Sequence, residues 1–129
     1  MILKVFTDGG SKGNPGPSSI GGVGYLNGEK IFEFKKSIGI ATNNDAEYKA
    51  LIEALKNIKN IDKISKIEFN SDSRLMVNQV KGLFKVKNGR IKEYILIIRG
   101  LEQEINLPIN YSYVPREENV EADLLVNSV

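Results

Sequence analysis

The chain contains no cysteine and no histidine. The first absence excludes disulfides, thiolate nucleophiles and zinc–thiolate sites. The second removes the usual general base near neutral pH and the usual transition-metal ligand. Any chemistry must therefore run on carboxylates, amines, hydroxyls and backbone. Carboxylates without histidine favour hard, oxygen-loving ions such as Mg²⁺. There is also no apolar run long enough to span a bilayer, and no basic stretch leading into an apolar signal segment. An intracellular, cytoplasmic chain is expected, with no membrane partner.

What is present describes an ordinary soluble globule. The 129 residues are 41% hydrophobic and 26% charged, enough for one domain with a single core. The net charge is only +2, but its distribution is uneven. From Ser73 to Lys92 there are six basic residues (Arg74, Lys81, Lys85, Lys87, Arg90, Lys92) and no acid. From Glu102 to Asp123 there are six acids against Arg116 alone. The basic block carries Phe84 within it and has two readings: a track for a phosphate backbone, or a solvated face with loop lysines.

Hydrophobic periodicity divides the chain into short elements. Residues 2–7, 20–26 and 30–38 read as strands, the last alternating Phe32 and Phe34 with Glu33 and Lys35. Asn27-Gly28 between the second and third is a strong hairpin signal. The period then becomes helical, with Ala46, Ala50, Leu51, Ala54, Leu55 and Ile58 on one stripe. A short strand follows at 66–70, a short helix at 73–81 stopped by Gly82, and a longer helical stripe from Ile91 to Ile105. Residues 108–114 read as a strand and 118–127 as a closing helix. Three strands in an antiparallel meander, then helix, strand, two helices, strand and helix, predict an α/β mixed sheet with helices on its faces.

Within that order the acids stand out. Asp8 follows the apolar strand of "VFTDGG", where four glycines and two prolines predict a fixed loop, and Asp72 sits close to the end of "EFNSDS". A helical crossover between the two strands makes them parallel neighbours about 4.8 Å apart, with both acids at the carboxyl end of the sheet. Two carboxylates that close repel unless a cation or a proton lies between them. Each acid also has a structural alternative. Asn44-x-x-Glu47 fits a capping box, Asp72 can cap the helix starting near Ser73, Asp8-Gly9 is a turn dipeptide, and Asp123 can face solvent.

Four blocks in order, "DGGSKGNPGP" (8–17), "TNNDAEYKALIEAL" (42–55), "SDSRLMVNQVKG" (71–82) and "VPREENVEADLL" (114–125), resemble the type 1 ribonuclease H family. The resemblance runs from Ile2 to the C-terminus. It implies one domain over residues 1–129 with the ribonuclease H-like fold, a five-stranded mixed sheet flanked by helices. It implies hydrolysis of the RNA strand of RNA–DNA hybrids with Mg²⁺ or Mn²⁺, two ions held by Asp8, Glu47, Asp72 and Asp123. Asp8 and Asp72 are then the bridging ligands. Two ions can activate a water and neutralise the leaving oxygen, so no histidine base is needed. Gly9, Gly10, Ser11, Asn14, Thr42, Asn43 and Asn44 become candidate contacts to the hybrid. Arg74 and Asn78, one helical turn apart, are further candidates for reading the 2′-hydroxyl side.

The chain departs from the family pattern in two places. Many members carry a histidine on the loop before the last aspartate; here Arg116 takes that place, as in an archaeal-like subgroup. Arginine cannot shuttle protons near neutral pH but can hold a phosphate, so slow turnover is expected, with a binding-only module as the alternative. The long basic protrusion of some bacterial members is also missing, and Lys81 to Lys92 forms a compact substitute. A monomer without an obligate protein partner is expected.

Overall fold

The structure, a computed structural model, describes all residues from Met1 to Val129. Five strands form one sheet in the order β3-β2-β1-β4-β5. They are β1 (Ile2–Ser11), β2 (Gly16–Leu26), β3 (Glu29–Ala41), β4 (Lys66–Ser71) and β5 (Ile109–Tyr113). β1 pairs antiparallel with β2 and parallel with β4, and β4 pairs parallel with β5. The helices are α1 (Asn43–Ile58), α2 (Arg74–Val80), α3 (Gly89–Ile105) and α4 (Val120–Asn127), with a 3₁₀ turn at Arg116–Glu118. The expected mixed sheet, meander and crossover are all present.

Alternation along the central strands decides which face is buried. Leu3 and Val5 of β1, and Ile67 and Phe69 of β4, are fully buried in one cluster with Tyr48, Leu51 and Leu55 of α1 and Ile98 of α3. Burial of such side chains is worth roughly 1.5–3 kcal/mol each. Further along the same face the inward positions turn polar, at Thr7 and Ser71, and both remain fully buried. The apolar core therefore stops one step short of Asp8 and Asp72, which immediately follow the last β1–β4 pair, Thr7 with Ser71.

Three local expectations are corrected. The strand bearing Asp8 continues to Ser11, because β1 keeps its partner β2 (Asp8 with Gly21, Ser11 with Ser18) after β4 has left. Asp8, Gly9 and Gly10 are thus sheet residues, and the fixed loop shrinks to residues 12–15. Helix α1 is capped by Thr42, whose extended backbone (φ −89°, ψ 165°) precedes a capping box closed by Asp45. Thr42 Oγ1 accepts from the Asp45 amide at 3.0 Å, and Asp45 Oδ2 accepts from the Thr42 amide at 3.2 Å. Asn44 lies inside the helix, so Glu47 has no capping duty. Ser73, with its hydroxyl accepting from the Met76 amide, caps α2 and releases Asp72 in the same way.

Two glycines set the spacing of the layers beside Asp8. A Cβ on Gly9 would collide with the carbonyl of Ala46 and stand 2.7 Å from the Glu47 amide nitrogen. On the other face, a Cβ on Gly21, the partner of Asp8, would stand 2.8 Å from Leu125 Cβ and 3.0 Å from the Ala122 carbonyl. The missing side chains let α1 and α4 approach the sheet at that one point. Gly9→Ala should therefore push α1 off β1 and lower stability by about 1–3 kcal/mol, the usual cost of overpacking. Urea denaturation checks this; an unchanged midpoint would contradict the close contact.

Candidate active site

Close approach of α1 at Gly9 and the β1–β4 pairing bring three elements together at the carboxyl end of β1. Asp8 projects from β1, Asp72 from the end of β4, and Glu47 from the second turn of α1. One carboxylate oxygen from each lies within 4.8 Å of the others. Asp123, on α4, lines the same cleft of about 350 Å³ together with Asp8, Glu47 and Arg116, but lies outside that tight trio. Asn127 Nδ2 donates to Asp123 Oδ1 at 3.3 Å and holds it on its own helix.

This crowding shifts the acids in one direction. Burial, then the Asp72 charge and the Asp123 carboxylate, push the Asp8 carboxyl up to about 7, against a favourable hydrogen bond from the Gly9 amide at 2.9 Å. Glu47 is raised well above the usual carboxylate range by burial and by its neighbours Asp8 and Asp72. Asp72 is raised by burial, with the Arg116 guanidinium opposing. Glu47 Oε1 and Asp72 Oδ2 are buried without any hydrogen-bond partner. Arg116 Nε lies 3.5 Å from Asp72 Oδ2, yet its side chain is 76% exposed. Buried, unpartnered and mutually repelling oxygens are costly unless a cation joins them. A hard divalent cation fits this donor set.

The other residues singled out from the sequence fall into two groups. Ser11, Asn14, Asn43 and Thr42 use their side chains inside the protein. Ser11 Oγ donates to the Ala41 carbonyl at 2.9 Å, and its amide donates to Asn43 Oδ1 at 2.8 Å. Asn14 Oδ1 accepts from the Asn43 amide at 2.9 Å. These bonds tie the 12–15 loop to the start of α1 and shape the cleft wall. The Gly9 amide is likewise engaged by Asp8, whereas Gly10 lines the cleft. Arg74 stands exposed at the start of α2, while Asn78 is bonded back to the Arg74 carbonyl at 3.0 Å. Asn44 makes no side-chain hydrogen bond and does not line the cleft, whereas Asn43 does.

Sequence reasoning missed Asn119. It is 1% exposed, and its Nδ2 donates to the Thr7 carbonyl at 2.8 Å. Asn119 thus ties the Arg116 turn and the start of α4 to the strand that carries Asp8. An asparagine between two glutamate-rich turns gives no local sign of that role.

The comparisons with known proteins agree with this geometry. The family model described as reverse transcriptase-like matches residues 6–129. The bifunctional protein Rv2228c of Mycobacterium tuberculosis is 36% identical over 98% of this chain, which spans only 35% of that protein. A ribonuclease HI of Halobacterium salinarum is 35% identical over 97% of the chain and 62% of its own length. The chain therefore spans about a third to under two thirds of these curated relatives. Among solved structures, LC11-RNase H1, determined in complex with an RNA/DNA hybrid, is 38% identical, with a TM-score of 0.90 over 98% of this chain and 95% of that one. With both sequence and sheet matched along nearly its whole length, the chain belongs to the type 1 ribonuclease H family.

Proposed function

We propose that residues 1–129 act as one ribonuclease H domain that hydrolyses the RNA strand of RNA–DNA hybrids with Mg²⁺ or Mn²⁺. The observation that carries this reading is the convergence of Asp8, Glu47 and Asp72, with two buried carboxylate oxygens lacking any hydrogen-bond partner. These three residues would hold the divalent ions, with Asp123 supplying a further carboxylate from across the cleft. Bound ions of this kind activate a water and neutralise the leaving oxygen of a phosphodiester. The protein's own groups do the rest. The basic segment Lys81–Lys92 draws the hybrid backbone, an attraction that weakens steeply with salt. Arg116, exposed and tethered to Asp72 only at its Nε, can turn its terminal nitrogens to a phosphate. Asn44 would contact a phosphate or sugar of the hybrid, and the exposed Arg74 would reach toward the 2′-hydroxyl side of the RNA strand, a contact that distinguishes RNA from DNA. A monomer acting in the cytoplasm completes the proposal; separately, no helix is long and apolar enough to cross a membrane.

Cleavage of labelled hybrid, duplex RNA and duplex DNA tests the reading directly. Hybrid RNA should be cut only with Mg²⁺ or Mn²⁺ and not in EDTA. Asp8→Asn should reduce the rate by about 1000-fold, the scale of losing a group that stabilises transition-state charge. Equal cutting by the variant would remove Asp8 from the ligand set.

The raised carboxylates also predict how the metal-free protein responds to pH. A group whose folded pKa exceeds its unfolded value stabilises below the unfolded pKa and loses that contribution as pH rises through the folded one. For Asp8 the window runs from about 3.8 to about 7. Without metal, Asp8→Asn should therefore be more stable than the wild type at pH 8, by roughly 2 kcal/mol, and lose that advantage near pH 4. Saturating Mn²⁺ should reverse the order at pH 8, because binding to ionised carboxylates stabilises the folded wild type. Thermal melts of both proteins with and without metal read this out. A variant no more stable than the wild type at pH 8 in EDTA would deny the repulsion.

A further inference from the structure

Two residues before Glu47, Asp45 is only 6% exposed. Both of its oxygens are fully used. Oδ2 accepts from the Thr42 amide at 3.2 Å and the Thr42 hydroxyl at 2.9 Å, completing the cap of α1. Oδ1 accepts from Arg90 Nε at 2.7 Å and from the Tyr94 hydroxyl at 3.2 Å, both on the opening turns of α3. Capping requires only the first pair of bonds. The second pair joins the turn before Glu47 to the helix that ends the basic segment.

The other side of Glu47 is gripped as well. Tyr48 stacks on Tyr94, with ring centroids 5.6 Å apart and planes 18° from parallel. Its hydroxyl donates to Gln79 Oε1 on α2 at 2.7 Å. Beneath this turn lies Gly9, in contact with the backbone of Ala46 and Glu47. The turn that carries Glu47 is therefore held from several sides, and one of these contacts, the ion pair between Asp45 and Arg90, leads directly to the segment that carries the basic charge. Burial works against ionising Asp45, but Thr42, Arg90 and Tyr94 outweigh it and hold its carboxyl below the usual range.

We propose that Asp45 is a positioning residue whose clasp on Arg90 and Thr42 links the seating of the basic segment Lys81–Lys92 to the orientation of Glu47 among the carboxylates. An arginine suits this task and a lysine does not, since a planar Nε–H can be aimed at Oδ1 while the terminal nitrogens stay outside. The kinetic consequence rests on the ribonuclease reading, whereas the effect on cation binding does not.

The test uses Arg90→Ala, Arg90→Lys and Asp45→Asn in the full chain. Mn²⁺ affinity is measured by calorimetry without nucleic acid, kcat and KM on an RNA–DNA hybrid, and folding by thermal melt. Arg90→Ala and Arg90→Lys should each weaken Mn²⁺ binding about fivefold, the scale of one partly exposed charge-assisted hydrogen bond. Arg90→Lys, which keeps the charge, should lower kcat by about the same factor with KM changed less than about twofold. If both arginine variants match the wild type in Mn²⁺ affinity and kcat, Asp45 is a helix cap only and the proposal fails. If Arg90→Ala is impaired and Arg90→Lys is not, charge alone matters and the clasp again fails. Should Asp45→Asn not fold, the arginine variants decide, since the Arg90 side chain is 55% exposed. A wild type that binds Mn²⁺ but cuts no hybrid would overturn the ribonuclease reading, and the Mn²⁺ arm would still judge the clasp.

Discussion

The contact on which the site depends is between backbones: strand β1 at Gly9 against the first turns of α1 at Ala46 and Glu47. No side chain fits there. That closeness allows Glu47, from a helix lying over one face of the sheet, to reach Asp8, which emerges from the sheet itself. Gly21, on β2 opposite Asp8, repeats the arrangement on the other face and lets α4, with Asp123, close onto the sheet beside it. Asp72 needs no such help, because parallel pairing of β1 and β4 ends one residue before both aspartates. Carboxylates on four sequence-distant elements are thus assembled by sheet register on one side and by two absent Cβ atoms on the other.

Assembly of this kind is opposed by electrostatics, and the fold shows how the opposition is met. The fully buried polar step at Thr7 and Ser71 lies between Asp8 and Asp72 and the apolar residues before them on β1 and β4. Anchors surround the cleft on every side. Asn119 holds the α4 junction to Thr7, Asn14 and Asn43 hold the 12–15 loop to α1, and the Thr42–Asp45 box holds the helix start. Because a buried charge repelled by its neighbours would otherwise rotate outward or protonate, rigid surroundings are a condition of the site. Several residues that look like ligand contacts in the sequence serve this restraint.

The same distinction explains what could be read in advance. The hairpin at Asn27-Gly28 was legible because its signal is local; both residues have positive φ, 54° and 81°. The β1–β4 pairing was legible because a helical crossover forces it. The cap of α1 falls at Thr42 and not at Asn44 because Thr42, Asn43, Asn44 and Asp45 can each begin or close a cap, and the local pattern leaves the choice open. The further bonds of Asp45 to Arg90 and Tyr94, nearly fifty residues away, have no trace in that pattern. The extent of β1 was hidden for a related reason. Gly9 and Gly10 weaken a strand taken alone, and their place in the sheet follows from what packs against them. The four carboxylates were recognised through the motifs around them; the tighter grouping of three emerged only from the distances.

Arg116 shows why the balance of charge at the site stays open to an external cation. It is the basic side chain paired with the cluster, and it opposes the rise of both Asp72 and Glu47. Its guanidinium is mostly in water, where an ion pair at 3.5 Å is screened and worth at most about 1 kcal/mol. Such a pair cannot offset three crowded carboxylates, one of which is pushed up to about 7. The residual repulsion therefore stays in the fold, as protons taken up or as stability lost when pH rises. A divalent cation would remove both costs together, since it needs ionised ligands and would supply the opposing charge where they converge. A histidine at position 116 would titrate between pH 5 and 8, overlapping the upper part of the Asp8 window of about 3.8 to about 7. Without one, the groups of the cleft whose ionisation burial and mutual repulsion shift are the carboxylates of Asp8, Glu47 and Asp72.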